Sequence, residues 1–272
     1  MDNYYIDLHL HTLHSDGMLT VEELLSLVAS ENISCASITD HDTFDAYATA
    51  PGTAERLGLE LISGIEISSV SNGRDIHILG YFCDTRNAEL LAALEIQREK
   101  RKDRVRAIIE KLCKLGVNLS YEQVEQRCFG ASISRPHIAS ALVEAKYVDS
   151  YQEAFSRYLK EGAAAYCPPA GISSREAILL IEKAGGLAVM AHPEYTNADE
   201  LIPKLVEYGI AGIEVYNYKT AKSIKKYRKI AKKYRLVETG GSDFHGIVNG
   251  LFGKQNLPYS IVEELKKKLR QS

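Results

Sequence analysis

At 272 residues, 45% apolar and 25% charged, the chain has a globular composition and room for one large domain or two ordinary ones. A net charge of −3 gives no global attraction to nucleic acid or to a membrane surface. The start MDNYYIDLHLHT is polar and acidic, and no apolar run approaches the ~20 residues of a membrane span. A cytoplasmic protein without a signal peptide is expected.

In chain order, the first strand is predicted at residues 4–9, closing in an H-x-H of His9 and His11 and followed by SDG with Asp16. Thr20 and Glu23 form a capping box that opens a helix. A second strand, 35–39, runs into TDHD with His41, and a third, 59–67, carries Glu66 in GIE. The fourth, 75–82, holds His77 near its start, where a lone histidine reads as a core residue. From residue 84 to 167 only helical patterns follow, at 88–115, 120–127, 136–146 and 151–160, the last behind the Ser150/Glu153 pair. CPPAG ends this stretch, which reads as an all-helical insertion, a cap on a βα scaffold of residues 1–83 and 168–272. The fifth strand, 187–191, leads to AHPE with His192, and a sixth spans 211–216. Helix 219–235 is the most basic stretch, with apolar and lysine stripes at helical spacing. It reads as an outer helix with a solvated lysine face, and alternatively as a guide for nucleic acid. The seventh strand, 236–240, precedes SDFH with Asp243 and His245, and Ser260 with Glu263 opens a final helix.

Alternating strands and helices argue for parallel βαβ units, hence a barrel or a doubly wound sheet. In a βα barrel, functional groups collect at the carboxyl ends of strands, where loops converge above a rigid core. Here five strand ends carry His, Asp or Glu. With His77, the donors number nine: His9, His11, Asp16, His41, Glu66, His77, His192, Asp243 and His245. One ion takes about four to six ligands, so at least two divalent ions are implied, and three fit the count with Glu66 as a bridge. Imidazole richness favours Mn²⁺, Fe²⁺ or Zn²⁺ over Mg²⁺. Such a centre suits a phosphate ester and a water acidified by the metals. The five scattered cysteines contain no C-x-x-C and read as reduced thiols.

Taken together, DLHLHT, SDG, ITDHDT, GIEIS, IHILGY, AHPE, IEVYN and GSDFHG resemble the polymerase and histidinol phosphatase (PHP) superfamily of metal-dependent phosphoesterases, in order and over nearly the whole chain. The resemblance implies a distorted (β/α)7 TIM-like barrel with two or three ions, Mn²⁺ foremost. It assigns His9, His11, Glu66 and Asp243 to one ion, Glu66, His77 and His192 to a second, and Asp16, His41 and His245 to a third. His77 thereby becomes a ligand, and Asp243, His192 and Glu66 the catalytic residues.

The segment SRPHIA at 134–139 resembles a stand-alone subgroup acting on nucleoside 3′,5′-bisphosphates, some relatives of which trim short RNA from the 5′ end. Ser134 can cap a helix whose first turn tolerates Pro136, and a helix start favours anions. Arg135 and His137 are then candidates to hold a second phosphate; the plainer alternative pairs Arg135 with an acid and packs His137. The expected activity is release of the 3′-phosphate by a metal-held hydroxide, on a small-molecule nucleotide, by a monomer without membrane partners. A 5′→3′ exoribonuclease on short RNA, a histidinol phosphatase and a non-catalytic polymerase-associated module are the competing readings.

Overall fold

Strand β1 (Tyr5–Leu10) buries both parities of its side chains: Ile6, Leu8 and Leu10 on one, Asp7 and His9 on the other. A strand buried on both faces belongs inside an α/β fold. The computed structural model describes residues 5–128, 132–217, 220–246 and 252–271. Residue 4 of the first expected strand and residue 219 of the basic helix lie outside them.

The remaining strands are β2 (Ile33–Ile38), β3 (Glu60–Leu61), β4 (Gly64–Ser71), β5 (Arg74–Tyr81), β6 (Leu187–Met190), β7 (Gly212–Tyr216), β8 (Val237–Gly240) and β9 (Leu257–Pro258). They form two mixed sheets, ordered β3-β2-β1-β9 and β4-β5-β6-β7-β8. The fold is α/β, but the ladders do not form a single ring among the described residues. Single bridges, His41 to Glu66 and Leu10 to Phe244, link the carboxyl ends of β2 and β1 to β4 and to the segment after β8.

Three expectations change. The strand expected at 59–67 is two strands in different sheets, parted at Ile62 and Ser63. The all-parallel pattern fails at β5, which runs antiparallel to both β4 and β6. Its cause is local: Asn72 and Gly73, at φ 50° and 76°, make a two-residue turn between the paired Ser71 and Arg74. Finally, Ser260 is already helical in Ser260–Leu269 and caps nothing, whereas the Thr20/Glu23 box is complete. Ser150 caps its helix, but Glu153 accepts from the Asp149 N–H.

Between residues 84 and 167 the described residues contain helices and no strand, chiefly Ala88–Lys114 and Arg135–Glu144; the expected 151–160 helix widens into a π-type turn at Phe155–Leu159. Residues Val105 to Cys167 enclose an apolar cluster of their own, with Ile108, Leu112, Val124, Ile138, Leu142 and Leu159 buried. Leu112→Ala should therefore lower stability by about 2–5 kcal/mol in denaturant titration, as a large-to-small change in a packed core does. Helix Ala221–Tyr234 buries Tyr227 and Ala231 and exposes Lys222, Lys226, Lys229 and Lys233, as its stripes predict. No described helix is long and apolar enough to cross a membrane.

Candidate metal centre

The turns that follow β1, β2, β6 and β8 deliver polar side chains to a common point. His9 is the penultimate residue of β1 and His11 follows the strand; Asp16 sits in the next turn; His41 follows β2, His192 follows β6, and Asp243 and His245 follow β8. His77 arrives differently. Because β5 is the returning strand of a hairpin, its first half lies at the edge where the other strands end, and His77 pairs with Ser68 across the ladder.

Glu66, 1% exposed, is the hub. Its Oε2 lies 3.2 Å from His9 Nε2, His11 Nε2 and His41 Nδ1, and its Oε1 lies 2.8 Å from His77 Nδ1 and 2.9 Å from His192 Nε2. Asp243 Oδ1 is 3.3 Å from His9 Nε2 and 3.4 Å from His11 Nε2. Asp16 Oδ1 is 3.2 Å from His245 Nε2, and its Oδ2 is 3.7 Å from His41 Nε2. Burial alone would push Glu66 and Asp16 up, but the imidazoles around them hold both well below the usual carboxylate range. Burial likewise opposes charge on His77 and His245, yet Glu66 and Asp75 beside one and Asp16 and Asp243 beside the other push each up to about 10.

Three groups of donors could each hold an ion: His9, His11, Glu66 and Asp243; His11, Asp16, His41 and His245; and His41, Glu66 and His77. The first matches the expected set. The other two differ from the expected sets: His11 joins Asp16, His41 and His245, and His41 stands with Glu66 and His77 in place of the expected His192, which lies 2.9 Å from Glu66 but belongs to none of the three groups. His11 Nε2, His41 Nδ1 and Asp16 Oδ1 are buried and make no hydrogen bond, although each lies near groups of the cage. Lone pairs turned inward on imidazole and carboxylate suit a divalent transition-metal ion. Because His77 and His245 hold protons up to about pH 10, Mn²⁺ uptake at pH 7 should release about one proton or more per chain and tighten as pH rises. Calorimetry in buffers of different ionisation enthalpy measures this.

Three buried carboxylates brace the cage and its strained backbone. Asp42, His192 and Asp243 have positive φ (55°, 24° and 53°), a costly conformation that the surroundings must impose. Asp40 accepts from Thr12 N at 2.7 Å, Thr12 Oγ1 at 2.6 Å and Ser15 Oγ at 2.6 Å, fixing the turn that carries Asp16. Asp7 accepts from His9 N and Ser242 N. Glu214, fully buried in β7, accepts from His192 N at 2.8 Å and lies 3.0 Å from His9 Nδ1.

Beside the cage, a cavity of about 220 Å³ is lined by Glu66, His77, His192, Asp243 and the arginines Arg101, Arg104 and Arg135. Arg101 is tied to Asp42 at 2.5 Å and to Ser68. Arg104 reaches Asp75 at 3.1 Å and the Cys167 carbonyl at 3.2 Å, leaving its buried Nη2 without a hydrogen bond. Arg135 touches the same Asp75 oxygen at 3.4 Å. Two guanidiniums thus share one carboxylate, and the cavity wall keeps excess positive charge. Arg135 therefore faces the cavity; His137 does not. It is 6% exposed, and its Nδ1 accepts from Ser134 N at 3.0 Å. His137, expected at the second-anion site, thus braces the helix start and does not line the cavity. Ser134 Oγ adds a 3.2 Å bond to Asp16 itself.

Sequence reasoning missed Glu214, Asp40, Asp75 and Arg104. The first two lie in quoted motifs, IEVYN and TDHD, but as single acids among apolar or ligand residues.

The PHP domain model matches residues 7–234. The 5′-3′ exoribonuclease Rnm of Escherichia coli (strain K12) is 34% identical over 253 residues, 89% of this chain and 86% of that protein. The 3′,5′-nucleoside bisphosphate phosphatase of Chromobacterium violaceum is 34% identical over 248 residues, 88% and 87% of the two chains. Among solved structures, one from Bifidobacterium adolescentis, described as a candidate metal-dependent phosphoesterase, superposes with a TM-score of 0.89 at 28% identity, covering 97% and 96% of the two chains.

Proposed function

The chain belongs to the PHP domain family and is a phosphoesterase, and we propose that it removes the 3′-phosphate from nucleoside 3′,5′-bisphosphates such as adenosine 3′,5′-bisphosphate. One observation carries the reading: a cage of imidazoles and carboxylates and an arginine-lined wall share one small cavity. A substrate with two phosphates uses both. Arg135 and Arg104 hold the 5′-phosphate by charge-assisted bonds, which leaves the 3′-phosphate over the cage. Divalent ions there, two or three and Mn²⁺ before Fe²⁺ or Zn²⁺, would neutralise phosphoryl oxygens and acidify a water. His9, His11, Glu66 and Asp243 would hold one ion; Asp16, His41 and His245, with His77 and His192, would hold the rest. Asp243, 23% exposed against 1% for Glu66, is the cage carboxylate placed to take the attacking water's proton. Glu66 and His192 fix the floor beneath the phosphate. Residues 84–167 act as a cap that supplies the arginines, and the two sheets are read as halves of a distorted (β/α)7 barrel, supported by their two bridges.

Short RNA is the second reading, favoured by the exposed lysines of helix Ala221–Tyr234 and by the Escherichia coli relative's name. Turnover of adenosine 3′,5′-bisphosphate, histidinol phosphate and a 5′-phosphorylated oligoribonucleotide should be compared. The expected products from the first are 5′-AMP and phosphate, with ¹⁸O from labelled water in the phosphate. Formation of 3′-AMP would refute the orientation, and trimming of RNA without bisphosphate turnover would move the assignment to the nuclease.

A further inference from the structure

Glu214 belongs to no candidate ligand group, yet its carboxylate, fully buried, meets three nitrogens. Oε1 lies 3.0 Å from His9 Nδ1, and Oε2 accepts from His192 N at 2.8 Å and Asn217 Nδ2 at 3.0 Å. We propose that Glu214 is a positioning residue that selects the nitrogen His9 turns to the ion cage and clamps the backbone of His192. An ionised carboxylate only accepts hydrogen bonds, so His9 must carry its proton on Nδ1. With an ion in the cage, Nε2, 3.2 Å from Glu66 and 3.3 Å from Asp243, would give up its proton and present its lone pair to that ion. A partner on the far ring nitrogen fixes tautomer and orientation in this way. The same carboxylate holds His192 at φ 24°, ψ 59°, a conformation with little intrinsic stability.

Glutamine cannot replace it. With its amide nitrogen toward His9, the ring proton moves to Nε2 and the inward lone pair is lost. With its oxygen toward His9, the amide N–H₂ faces two other donors, His192 N and Asn217 Nδ2. Either flip spoils one of the two histidines. The inference rests on the reading of His9 as an ion ligand.

The test has two parts. In Zn²⁺-loaded wild-type protein, ¹H–¹⁵N correlation of the histidine side chains, assigned through His9→Asn, should place the His9 proton on Nδ1. Mn²⁺ titration followed by electron paramagnetic resonance should then give Glu214→Gln an affinity about 10- to 100-fold weaker than wild type. Glu214→Asp, shorter but still acceptor-only, should lose less than the glutamine variant. A His9 proton on Nε2, a Glu214→Gln affinity within about twofold of wild type, or an aspartate variant weaker than the glutamine one would each overturn the proposal. Should Glu214→Gln fail to fold, the wild-type tautomer decides alone. Wild-type protein that binds no Mn²⁺ would instead overturn the underlying assignment of the cage.

Discussion

Glu66→Gln should cut phosphatase turnover by at least about a thousandfold. Partners one shell removed from an ion are worth about 10- to 100-fold each, and Glu66 stands closer than they do. Its two oxygens face five imidazoles, from His9, His11, His41, His77 and His192. Glutamine keeps the shape but removes the charge and turns an N–H₂ toward nitrogens that need an acceptor or an ion. In the ion-free protein the same change strands buried imidazolium groups, a mechanism worth about 3–5 kcal/mol of stability. Thermal denaturation should therefore accompany the kinetics, so that loss of activity is read only on folded enzyme, with metal content from elemental analysis. A folded variant with a full ion complement and turnover within about tenfold of wild type would remove Glu66 from the centre of the chemistry.

Arg104→Ala and Arg135→Ala should each lower kcat/KM for adenosine 3′,5′-bisphosphate by about ten- to a hundredfold while leaving hydrolysis of an aryl phosphate nearly unchanged. A charge-assisted hydrogen bond to a bound phosphate is worth about 1.5–3 kcal/mol, and the aryl ester has no second anion to be held. Arg104 is the stronger anchor of the two: it approaches Asp75 more closely, at 3.1 Å against 3.4 Å, and its buried Nη2 makes no hydrogen bond. Each single variant leaves Asp75 paired with the other arginine, so the fold should tolerate either. Equal losses on both substrates would mean that these arginines serve the reacting phosphate or the structure.

The cage is legible in the sequence because its members occupy strand ends, where a polar residue after an apolar run is conspicuous. His77 is legible only through the family resemblance, since its place depends on the direction of β5. A signal for that direction does exist in Asn72-Gly73, a turn pair set between two β-rich runs. Glu214 cannot be found from pattern: a lone acid in the apolar strand GIEVY looks like any other half-buried strand position. Arg104 is hidden for the opposite reason. Helix Ala88–Lys114 is crowded with charge, and only packing tells which arginine turns inward from those that face water. Arg135 is readable from SRPH, but the histidine two places on turns its Nδ1 back to the Ser134 N–H, a contact that shows only in the folded helix start.

The inserted helices surround an apolar cluster built from their own residues between Val105 and Cys167, while the nine cage donors all come from outside that span. On the proposed function, the ion donors and the arginines of the cavity wall thus come from different parts of one chain. Apart from Ser134, which bonds Asp16, and Arg101, which bonds the Asp42 beside His41, a change among the helices can alter which second group is gripped, and how far from the scissile bond, without touching a cage residue. Exchange of this segment between relatives that differ in substrate should accordingly transfer preference while conserving the reaction, which makes the helical block the unit on which specificity can diversify.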